Sequence, residues 1–500
     1  MSPANPYEGD IAPTPREGID HLVLARLERA GIPPANLCTD AVFLRRAYLD
    51  AIGTLPTEQE AREFLSSKDA NKRAALVDRL LARDEFADYQ AMKWCDLLRV
   101  KAEFPINLWP NAAQAYHRWI RASIQENKPY DRFARELLAS SGSNFRVPPV
   151  NFYRAVQGRD PQALAQAVAL TFLGARADQW PKERLAGLAA FFSQVRYKYT
   201  GEWKEEIVFY DANGGGPPTG AVFPDAAPAR LAAGRDPREA FADWLIEPNN
   251  PYFARAIVNR VWCWVMGRGI VHEPDDIRPD NPPGNPELLA HLEREFVASR
   301  YDLKRLCRLI LTSQTYQLSC IPRSKSPQAA ALFAHYPLRR LEAEVLIDAL
   351  CQITGTTEKY SSPIPEPFTF IPENLRSIAL PDGSITSSFL ELYGRSPRDT
   401  GLESERSGRP TAGQRLHLLN SSHVQRKIEQ GRRLQPLMQS RSTPRELAAS
   451  LYLMILSRFP TAEELRVVVA YPTASGGRNR EFVIDLAWAL INSPEFLYRH

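Results

Sequence analysis

The stretch DPREAFADWLIEPNNPYFARAIVNRVWCWVMGRGIVHEPDDIRP, residues 236–279, is the most informative part of the chain about its fold. It contains Trp244, Trp262 and Trp264, and its longest apolar run stops at Gly267. Large aromatic side chains bury much apolar surface, so several of them beside fixed polar groups indicate a specified buried surface rather than a generic amphipathic helix. The stretch therefore predicts a buried helix that ends at this glycine.

Outside this stretch, apolar residues recur at helical spacing along much of the chain. Residues 72–83, 131–140, 160–174 and 183–195 place apolar side chains at i, i+3, i+4 and i+7. Helix starts are marked by threonines followed three residues later by glutamate, the pattern of a capping box. These pairs are Thr57 with Glu60, Thr443 with Glu446, and Thr461 with Glu464; Asn285 before Pro286 marks one further start.

Strand signals are scarce. Residues 205–211, EEIVFYD, read as a strand that turns at Asn213 and Gly214 and pairs with TGAVF at 219–223. The predicted fold class is therefore mainly α: a two-lobed multi-helical protein with a short β-hairpin connector. The Pro-dense stretch 361–374 predicts an ordered loop, because its phenylalanines would need cover.

Five hundred residues are too many for one compact core, so two or three domains are expected. The Gly/Pro-rich stretch 201–235 is the natural boundary. The predicted organisation is an N-terminal tail at 1–17, a helical domain at 18–200, the connector at 201–235, and a second helical domain at 236–500.

One pattern occurs near both ends of the chain. Tyr48-Leu49 and Pro56-Thr57 recur as Tyr452-Leu453 and Pro460-Thr461 at a constant offset, and DRLLARDEF at 78–86 resembles AWALINSPEF at 487–496. A looser copy of the last part is RLILTSQTY at 308–316. The pattern predicts a duplicated helical module whose copies pack together; convergent helix-start chemistry is the alternative.

Composition restricts the class of partner. The 62 basic and 58 acidic residues are interspersed and give a net charge of only +4, so no electrostatic footprint for nucleic acid is present. No apolar run is long enough for a membrane span. Residues 1–15 have no basic start and no apolar run, so no signal peptide is recognisable. Either the chain is cytoplasmic or an export signal lies upstream of Met1.

Six cysteines are present, and none forms a CxxC or CxxCH motif, which argues against zinc fingers and covalent haem. Most stand on apolar helical faces and are expected to be small buried hydrophobes. Cys307 and Cys320 flank one helix and could pair in an oxidising compartment. There is also no GxSxG, HExxH or Walker A motif, so ordinary hydrolase, zinc-protease and nucleotide chemistry is not indicated.

The first candidate site is formed by Arg255, Asn259 and Arg260. Residues four apart share a helix face, and arginines there could grip carboxylate or sulfate groups bidentately. The alternative is that these side chains bond to helix ends and loop carbonyls in an interior seam. The full set of candidate anion or ligand-binding residues is Arg255, Asn259, Arg260, Arg268, Arg339, Arg340 and Arg406.

The second candidate is an acidic loop after the buried helix. Five potential ligands lie within nine residues: His272, Glu273, Asp275, Asp276 and Asp280. The aspartates offer hard oxygen ligands of the kind that Ca²⁺ takes, although no EF-hand spacing is present. The alternative is that the carboxylates cap helix starts and pair with Arg268 or Arg278.

Two further groups of candidate residues contain both acidic and basic side chains. Arg340, Glu344 and Asp348 would fall on one stripe of a helix and form an intrahelical ion-pair ladder. Glu403 and Glu405 stand near Arg406 and His417 in sequence. Paired carboxylates close to a histidine can perform acid–base catalysis. Whether these four residues converge cannot be deduced from their spacing.

Several motifs resemble one family. They include FLRRAYLDAIGTLPT (43–57), EFADYQAMKWCDLLRV (85–100), NPYFARAIVNRVW (250–262), RLHLLNSSHV (415–424) and WALINSPEFLYRH (488–500). Together they resemble the planctomycete-type, cytochrome-associated family in which a PSCyt-type domain precedes a PSD-type domain, both of unknown function. The resemblance covers nearly the whole chain and implies a periplasmic or extracellular location.

The chain departs from this family at two places. Relatives often carry CxxCH after a segment like TFLG (171–174), but here residues 175–187 contain no cysteine and no histidine. Relatives also carry CxCxR before the HLLN helix, where this chain has LESER (402–406). Covalent haem needs two thiols and an axial ligand, so a haem-less member without cofactors is expected.

The function expected from these observations is a non-catalytic, extracytoplasmic accessory or binding protein that acts with a partner protein or a polysaccharide. The family's association with sulfated-polysaccharide breakdown is implied by the resemblance alone. The alternative is a hydrolase or lyase on an anionic polysaccharide, in which Arg255, Arg260, Arg268 and Arg339 bind charge and Asp276 acts as the base. The oligomeric state cannot be deduced.

Overall fold

The structure is a computed structural model that describes residues 5–15, 18–213, 218, 220–232, 234–471 and 479–500. It is 51% helical with 5% strand in small sheets, which confirms the mainly α fold class. Within the described residues, no helix is both long and apolar enough to cross a membrane.

The elements up to residue 210 are α1 (Ile19–Arg29), α2 (Asp40–Ile52), α3 (Glu58–Ser66), α4 (Lys72–Leu81), α5 (Asp84–Leu97), α6 (Pro110–Gln125), α7 (Tyr130–Ala139), β1 (Gly142–Ser143), α8 (Asn151–Arg154), α9 (Pro161–Val168), α10 (Lys182–Ala190), β2 (Val195–Tyr199) and β3 (Glu206–Tyr210). Helix α9 runs on into a π-helical turn at Ala169–Leu173.

The later elements are α11 (Pro237–Leu245), α12 (Phe253–Met266), α13 (Pro286–Ala298), α14 (Leu303–Leu311), β4 (Arg339–Arg340), α15 (Ala343–Thr354), α16 (Ser388–Leu392), α17 (Ala412–Asn420), α18 (Ser422–Gln430), α19 (Gln435–Gln439), α20 (Pro444–Leu456), α21 (Ala462–Val469), α22 (Asn479–Ile491), α23 (Pro494–Leu497) and β5 (Tyr498–Arg499).

The predicted helix starts are confirmed. Thr57, Thr443 and Thr461 each accept a hydrogen bond from the third helical residue, and the glutamate at that position bonds back to the capping residue. Asn285 caps α13 in the predicted place. These bonds satisfy amide groups that a helix leaves without partners at its first turn. Local chemistry therefore sets these boundaries.

A short β-hairpin is present and β3 lies within the predicted strand 205–211, but the predicted partner at 219–223 is wrong. β3 pairs in antiparallel fashion with β2, which precedes it, from Val195 opposite Tyr210 to Tyr199 opposite Glu206. Val222, in the segment predicted to return, instead bridges to Pro228. β3 is the central strand of a three-stranded sheet with β1 on its other side, so neither edge is left for the predicted partner. Gly214 of the predicted turn and Thr219 lie outside the described residues.

Helix α12 is buried as predicted. Trp262 is fully buried and packs edge-on against Phe333, while Trp264 packs edge-on against Trp94 of α5. The helix ends at Gly267, whose backbone is left-handed. A Cβ atom at that position would lie 2.9 Å from Cδ of Arg339, so only glycine fits there.

Buried apolar side chains form two clusters. The larger extends from α1 to α14 and includes α12. The smaller is built mainly from α15 to α23, with a few side chains from α2 and α5 packed into it. The domain boundaries expected from the sequence, at 18–200 and 236–500, stay predictions.

The repeated pattern corresponds to two similar helical units, α2–α5 and α20–α23. In both, a left-handed residue ends the first helix: Gly53 in one unit and Ser457 in the other. Arg83 joins the capping glutamate of α3 to Glu85, and Arg458 joins the capping glutamate of α21 to Glu495. Helices α3 and α20 are in contact. The shared geometry goes beyond the helix-start chemistry and favours duplication.

Candidate functional site

The first predicted cluster forms an interior seam. Arg255 donates to the Glu293 carboxylate at 2.8 Å and is only half-buried. Asn259 is fully buried, and its amide both donates to the Val271 carbonyl and accepts from the Val271 amide, at 2.9 Å each. Arg260 is buried against Asp275 at 2.7 Å. Asn259 and Arg260 therefore fit the interior-seam alternative, whereas Arg255 forms a half-exposed ion pair outside it.

The carboxylates of the acidic loop do not lie together at one site. Asp275 is fully buried and also accepts from the Glu403 amide at 2.7 Å, whereas Asp276 and Asp280 pair with Arg278 at the surface. Among the described residues, no three His, Cys, Asp or Glu side chains are grouped as a metal site would require. Arg268, the other predicted pairing partner, has no ion pair in the described part of the chain.

The predicted ion-pair ladder on one helix is wrong. Arg340 belongs to strand β4, which pairs with β5, and α15 begins only at Ala343. Glu344 therefore bonds to Arg406 from a distant loop instead of Arg340. Asp348 accepts the backbone amides of 377 and 378. The strand pairing takes Arg340 off the helix and so overrides the local helical spacing.

The acid–base group predicted around residue 403 is separated in the structure. Glu403 accepts a hydrogen bond from the Trp264 indole at 3.2 Å. His417 instead lies against Tyr393 and His423, with ring centroids 5.8 and 5.7 Å away. This arrangement gives no support to acid–base chemistry by these residues.

Arg406 and Arg339 belong to a buried group of charges between the two apolar clusters. Arg406 bonds to Asp96 of α5, and Arg339 bonds to Asp50 of α2, each at 2.6 Å. Arg499 contacts both Asp50 and Glu342. The central charge network comprises Asp50, Lys93, Asp96, Arg339, Glu342, Glu344, Arg395, Arg398, Arg406 and Arg499.

The network keeps its members ionised despite burial. Burial by itself would raise the pKa of Glu342, but Arg499, Lys93 and Arg339 outweigh it and hold that pKa well below the usual range. Burial likewise opposes ionisation of Arg406, yet Asp96 raises its pKa well above the ordinary value. Arg339 and Arg406 each already bond to a carboxylate, so an external anion would have to displace that buried carboxylate to bind them. The network is therefore suited to joining the chain's two halves.

A different cluster faces solvent. Trp109 precedes α6, Trp203 lies in the β2–β3 turn, and Phe368 lies in the Pro-dense loop. The Trp109 ring centroid is 6.3 Å from that of Trp203 and 5.4 Å from that of Phe368. The Lys204 ammonium lies 4.9 Å from the Trp109 centroid and 5.4 Å from the Trp203 centroid. We call these four side chains the aromatic surface.

The aromatic surface is open to solvent. Trp203 is 69% exposed and Phe368 45% exposed. Phe104 and Phe370, in the same loops as two of these rings, are 75% and 69% exposed. The expected cover of the two loop phenylalanines is thus only partial for Phe368 and wrong for Phe370. Exposed aromatic groups of this kind mark interaction sites, since water solvates their faces poorly.

Backbone contacts fix the segments that carry these rings. The Trp109 amide donates to the Ala102 carbonyl at 3.2 Å, and the Phe368 amide donates to the Pro365 carbonyl at 3.1 Å. The buried Asn144 side chain donates to the Lys204 carbonyl at 3.2 Å. Because the loops are held by such bonds, a ligand would lose little free energy in ordering them.

The aromatic surface was missed in the sequence, although each ring stands in a turn or a Pro-rich loop. An aromatic residue in a turn is a signal, because turns lie at the surface. The convergence of three such turns could not be deduced, since they lie far apart along the chain.

All six cysteines are free, so Cys307 and Cys320 do not form the disulfide considered above. Cys307 is buried, and burial raises its thiol pKa to about 12. It is therefore an unreactive side chain of the core.

Comparisons with known proteins identify two domains in order. Residues 18–197 match PSCyt2, described as a protein of unknown function (DUF1549), and residues 237–471 match PSD1, a protein of unknown function (DUF1553). No curated protein and no solved structure matches the chain. The order and extent of the two matches show that the chain belongs to the family in which a PSCyt2 domain is followed by a PSD1 domain.

Proposed function

We propose that this protein is a non-catalytic, extracytoplasmic binding protein that holds a polysaccharide on its aromatic surface. The observation that carries this function is the convergence of Trp109, Trp203 and Phe368 at the solvent boundary. The face of an aromatic ring is electron-rich, so it attracts the slightly positive C–H groups of a sugar ring. Several rings can bind successive sugars of a chain.

The charge beside the rings favours an anionic polymer. Lys204 places its ammonium over both tryptophan rings, and it has no ion pair among the described residues. A sulfate or carboxylate on a sugar stacked there would meet this cation. Salt screens exposed charges at about 10 Å in 0.1 M solution, so the preference for anionic sugars should weaken as salt is added.

A binding role without catalysis is supported by the state of the predicted arginines. The enzymatic alternative requires Arg255, Arg260, Arg268 and Arg339 to converge free of carboxylates. Three of these bond to Glu293, Asp275 and Asp50. Asp276, the base in that alternative, pairs with Arg278 at 3.2 Å. The contacts of these residues therefore do not support the hydrolase or lyase hypothesis.

The location outside the cytoplasm rests on the family resemblance, and no partner protein needs to be assumed for the binding itself. An export signal encoded upstream of Met1 would support this location. Secretion of the full-length product by the native host, measured by fractionation, is the direct assay.

The test is binding to immobilised carrageenan, alginate, heparin and dextran, with the soluble polymers then assayed for new reducing ends and unsaturated products. We expect saturable binding to at least one anionic polymer, weaker binding to dextran, and no product. Absence of binding to every anionic polymer would contradict the binding role, and product formation would contradict the non-catalytic role. The two parts of the proposal thus have separate outcomes.

A further inference from the structure

An open cavity lies mainly among C-terminal elements of the chain. It has a volume of about 720 Å³ and is bordered by β4, α17 and the segment from α23 to β5. Pockets that hold small organic molecules measure roughly 300–1,000 Å³, so this cavity has the size of a ligand site. It is separate from the aromatic surface, since the two share no lining residue.

The lining of this cavity includes several leucines. Leu338, Leu418, Leu419 and Leu497 line it, and we call it the leucine pocket. Leu338 is 59% exposed and Leu419 44% exposed, so the apolar lining reaches the surface. Solvent-exposed leucines that also line a cavity create a favourable place for an apolar chain, because binding removes them from water.

One cation on the wall has no anionic partner. Arg340 lines the pocket and donates only to neutral oxygens: the Gln414 side chain, the Tyr393 carbonyl at 2.6 Å and the Ser407 carbonyl at 3.0 Å. Its Nε–H is buried without a hydrogen-bond partner. The adjacent Arg339, by contrast, is neutralised by Asp50 at 2.6 Å.

The two neighbouring arginines therefore differ in whether a carboxylate offsets their charge. An arginine remains protonated at neutral pH, and a half-buried charge that meets only neutral groups is costly to keep. Burial lowers the pKa of Arg340, whereas Asp50 raises that of Arg339 against the same effect. A carboxylate bound in the pocket would offset the positive charge of Arg340.

We propose that the leucine pocket binds a free long-chain aliphatic carboxylate, with its chain against the leucines and its carboxylate against Arg340. The chain accounts for the aliphatic lining and the acid accounts for the unpaired guanidinium. Arg415 also lines the pocket and is exposed, and Glu495 on the same lining is offset by Arg458. This site is independent of the polysaccharide proposed above.

The experiment is calorimetric titration of the full chain with dodecanoate below its micelle concentration, with dodecan-1-ol as the matched neutral ligand. We expect one saturable site for dodecanoate and about tenfold weaker binding of the alcohol, the value of a charge-assisted hydrogen bond. Arg340→Gln should reduce dodecanoate binding to the level of the alcohol and leave the alcohol unchanged. Leu419→Asp, at an exposed position, should weaken both ligands.

Equal affinity of the wild-type protein for acid and alcohol would overturn the proposal, as would an acid preference that survives Arg340→Gln. If that variant does not fold, Leu419→Asp and Leu338→Asp decide: unchanged dodecanoate binding in both contradicts the site. Vesicles of phosphatidylglycerol form the last arm. Binding to vesicles without binding to free dodecanoate would show a membrane surface as the ligand and would also contradict it.

Discussion

Arg406 lies between Asp96 of α5 and Glu344 of α15, and its guanidinium donates hydrogen bonds to both carboxylates. One side chain from the loop at residues 402–406 thus joins the parts of the chain that match PSCyt2 and PSD1. In this chain the loop serves the central charge network.

Arg406→Met should strongly destabilise the protein. Removing one member of a buried ion pair leaves the others uncompensated and costs about 3–5 kcal/mol. The measurement is the free energy of unfolding from urea titration. Arg255→Met, which breaks the half-exposed pair with Glu293, is the control and should cost under about 1 kcal/mol. Equal losses in both variants would refute the role assigned to the network.

His117 should make stability depend on pH in the mildly acidic range. Burial, helped by Arg398, Arg121 and Arg118, lowers the pKa of His117 to about 3. The folded state therefore keeps the ring neutral while the unfolded chain takes up a proton below about pH 6.5. The stabilisation is fully present above that pH and is lost as pH falls towards the folded pKa.

The expected slope from this one group is about 1.4 kcal/mol per pH unit between pH 6 and pH 4. His117→Phe, which preserves a buried ring and removes the titration, should flatten the curve by that amount. Urea unfolding at three pH values measures it. Parallel curves for the two proteins would show that His117 does not titrate in this way.

Substitutions at two equivalent positions of the helical units, Ser457 and Gly53, should change stability in opposite directions. Ser457 is fully buried, has a left-handed backbone and leaves its hydroxyl without a hydrogen bond. Ser457→Gly should therefore raise thermal stability, by about 1 kcal/mol. Gly53→Ser should lower it markedly, because a Cβ at Gly53 would lie 2.6 Å from the Tyr89 ring. A loss of stability in Ser457→Gly would contradict this account of the cap.

Lys204→Gln should reduce binding of anionic polysaccharide and leave neutral sugar binding unchanged. The ammonium lies over two exposed rings, where a cation contributes about 0.5–1 kcal/mol and would also meet a sulfate or carboxylate. Affinity for carrageenan at low and at high salt measures the effect. A difference between wild type and variant that persists at high salt would mean that the lysine acts by some means other than charge.

Local signals in the sequence were sufficient for much of the fold. The capping threonines and Gly267 act within one or two helical turns, so their effects can be deduced from neighbours. Arg340 was misplaced because its strand is defined by pairing with β5, more than a hundred residues away. The β3 strand was predicted, whereas its partners β1 and β2 both come from the preceding chain, which the pattern of β3 alone does not specify.

The candidate sites were harder to predict for a related reason. Arg255, Asn259 and Arg260 were singled out by spacing, yet their carboxylate and carbonyl partners come from other segments. Trp203 and Phe368 were not predicted as binding residues, because a single aromatic ring in a loop does not indicate a binding site unless other rings lie beside it. Convergence of distant loops is a property of tertiary packing, which spacing along one chain does not encode.

The most direct test of the polysaccharide-binding function is the affinity of the Trp203→Ala, Phe368→Ala double variant for carrageenan, measured by calorimetry. Trp203 is largely exposed and Phe368 about half exposed, so the free energy of unfolding of the variant should lie within about 0.5 kcal/mol of wild type for each substitution. Tyr471→Ala, which removes another exposed ring, is the control. We predict at least about a tenfold loss of affinity in the double variant and none in the control. Unchanged affinity in a folded double variant would contradict the account.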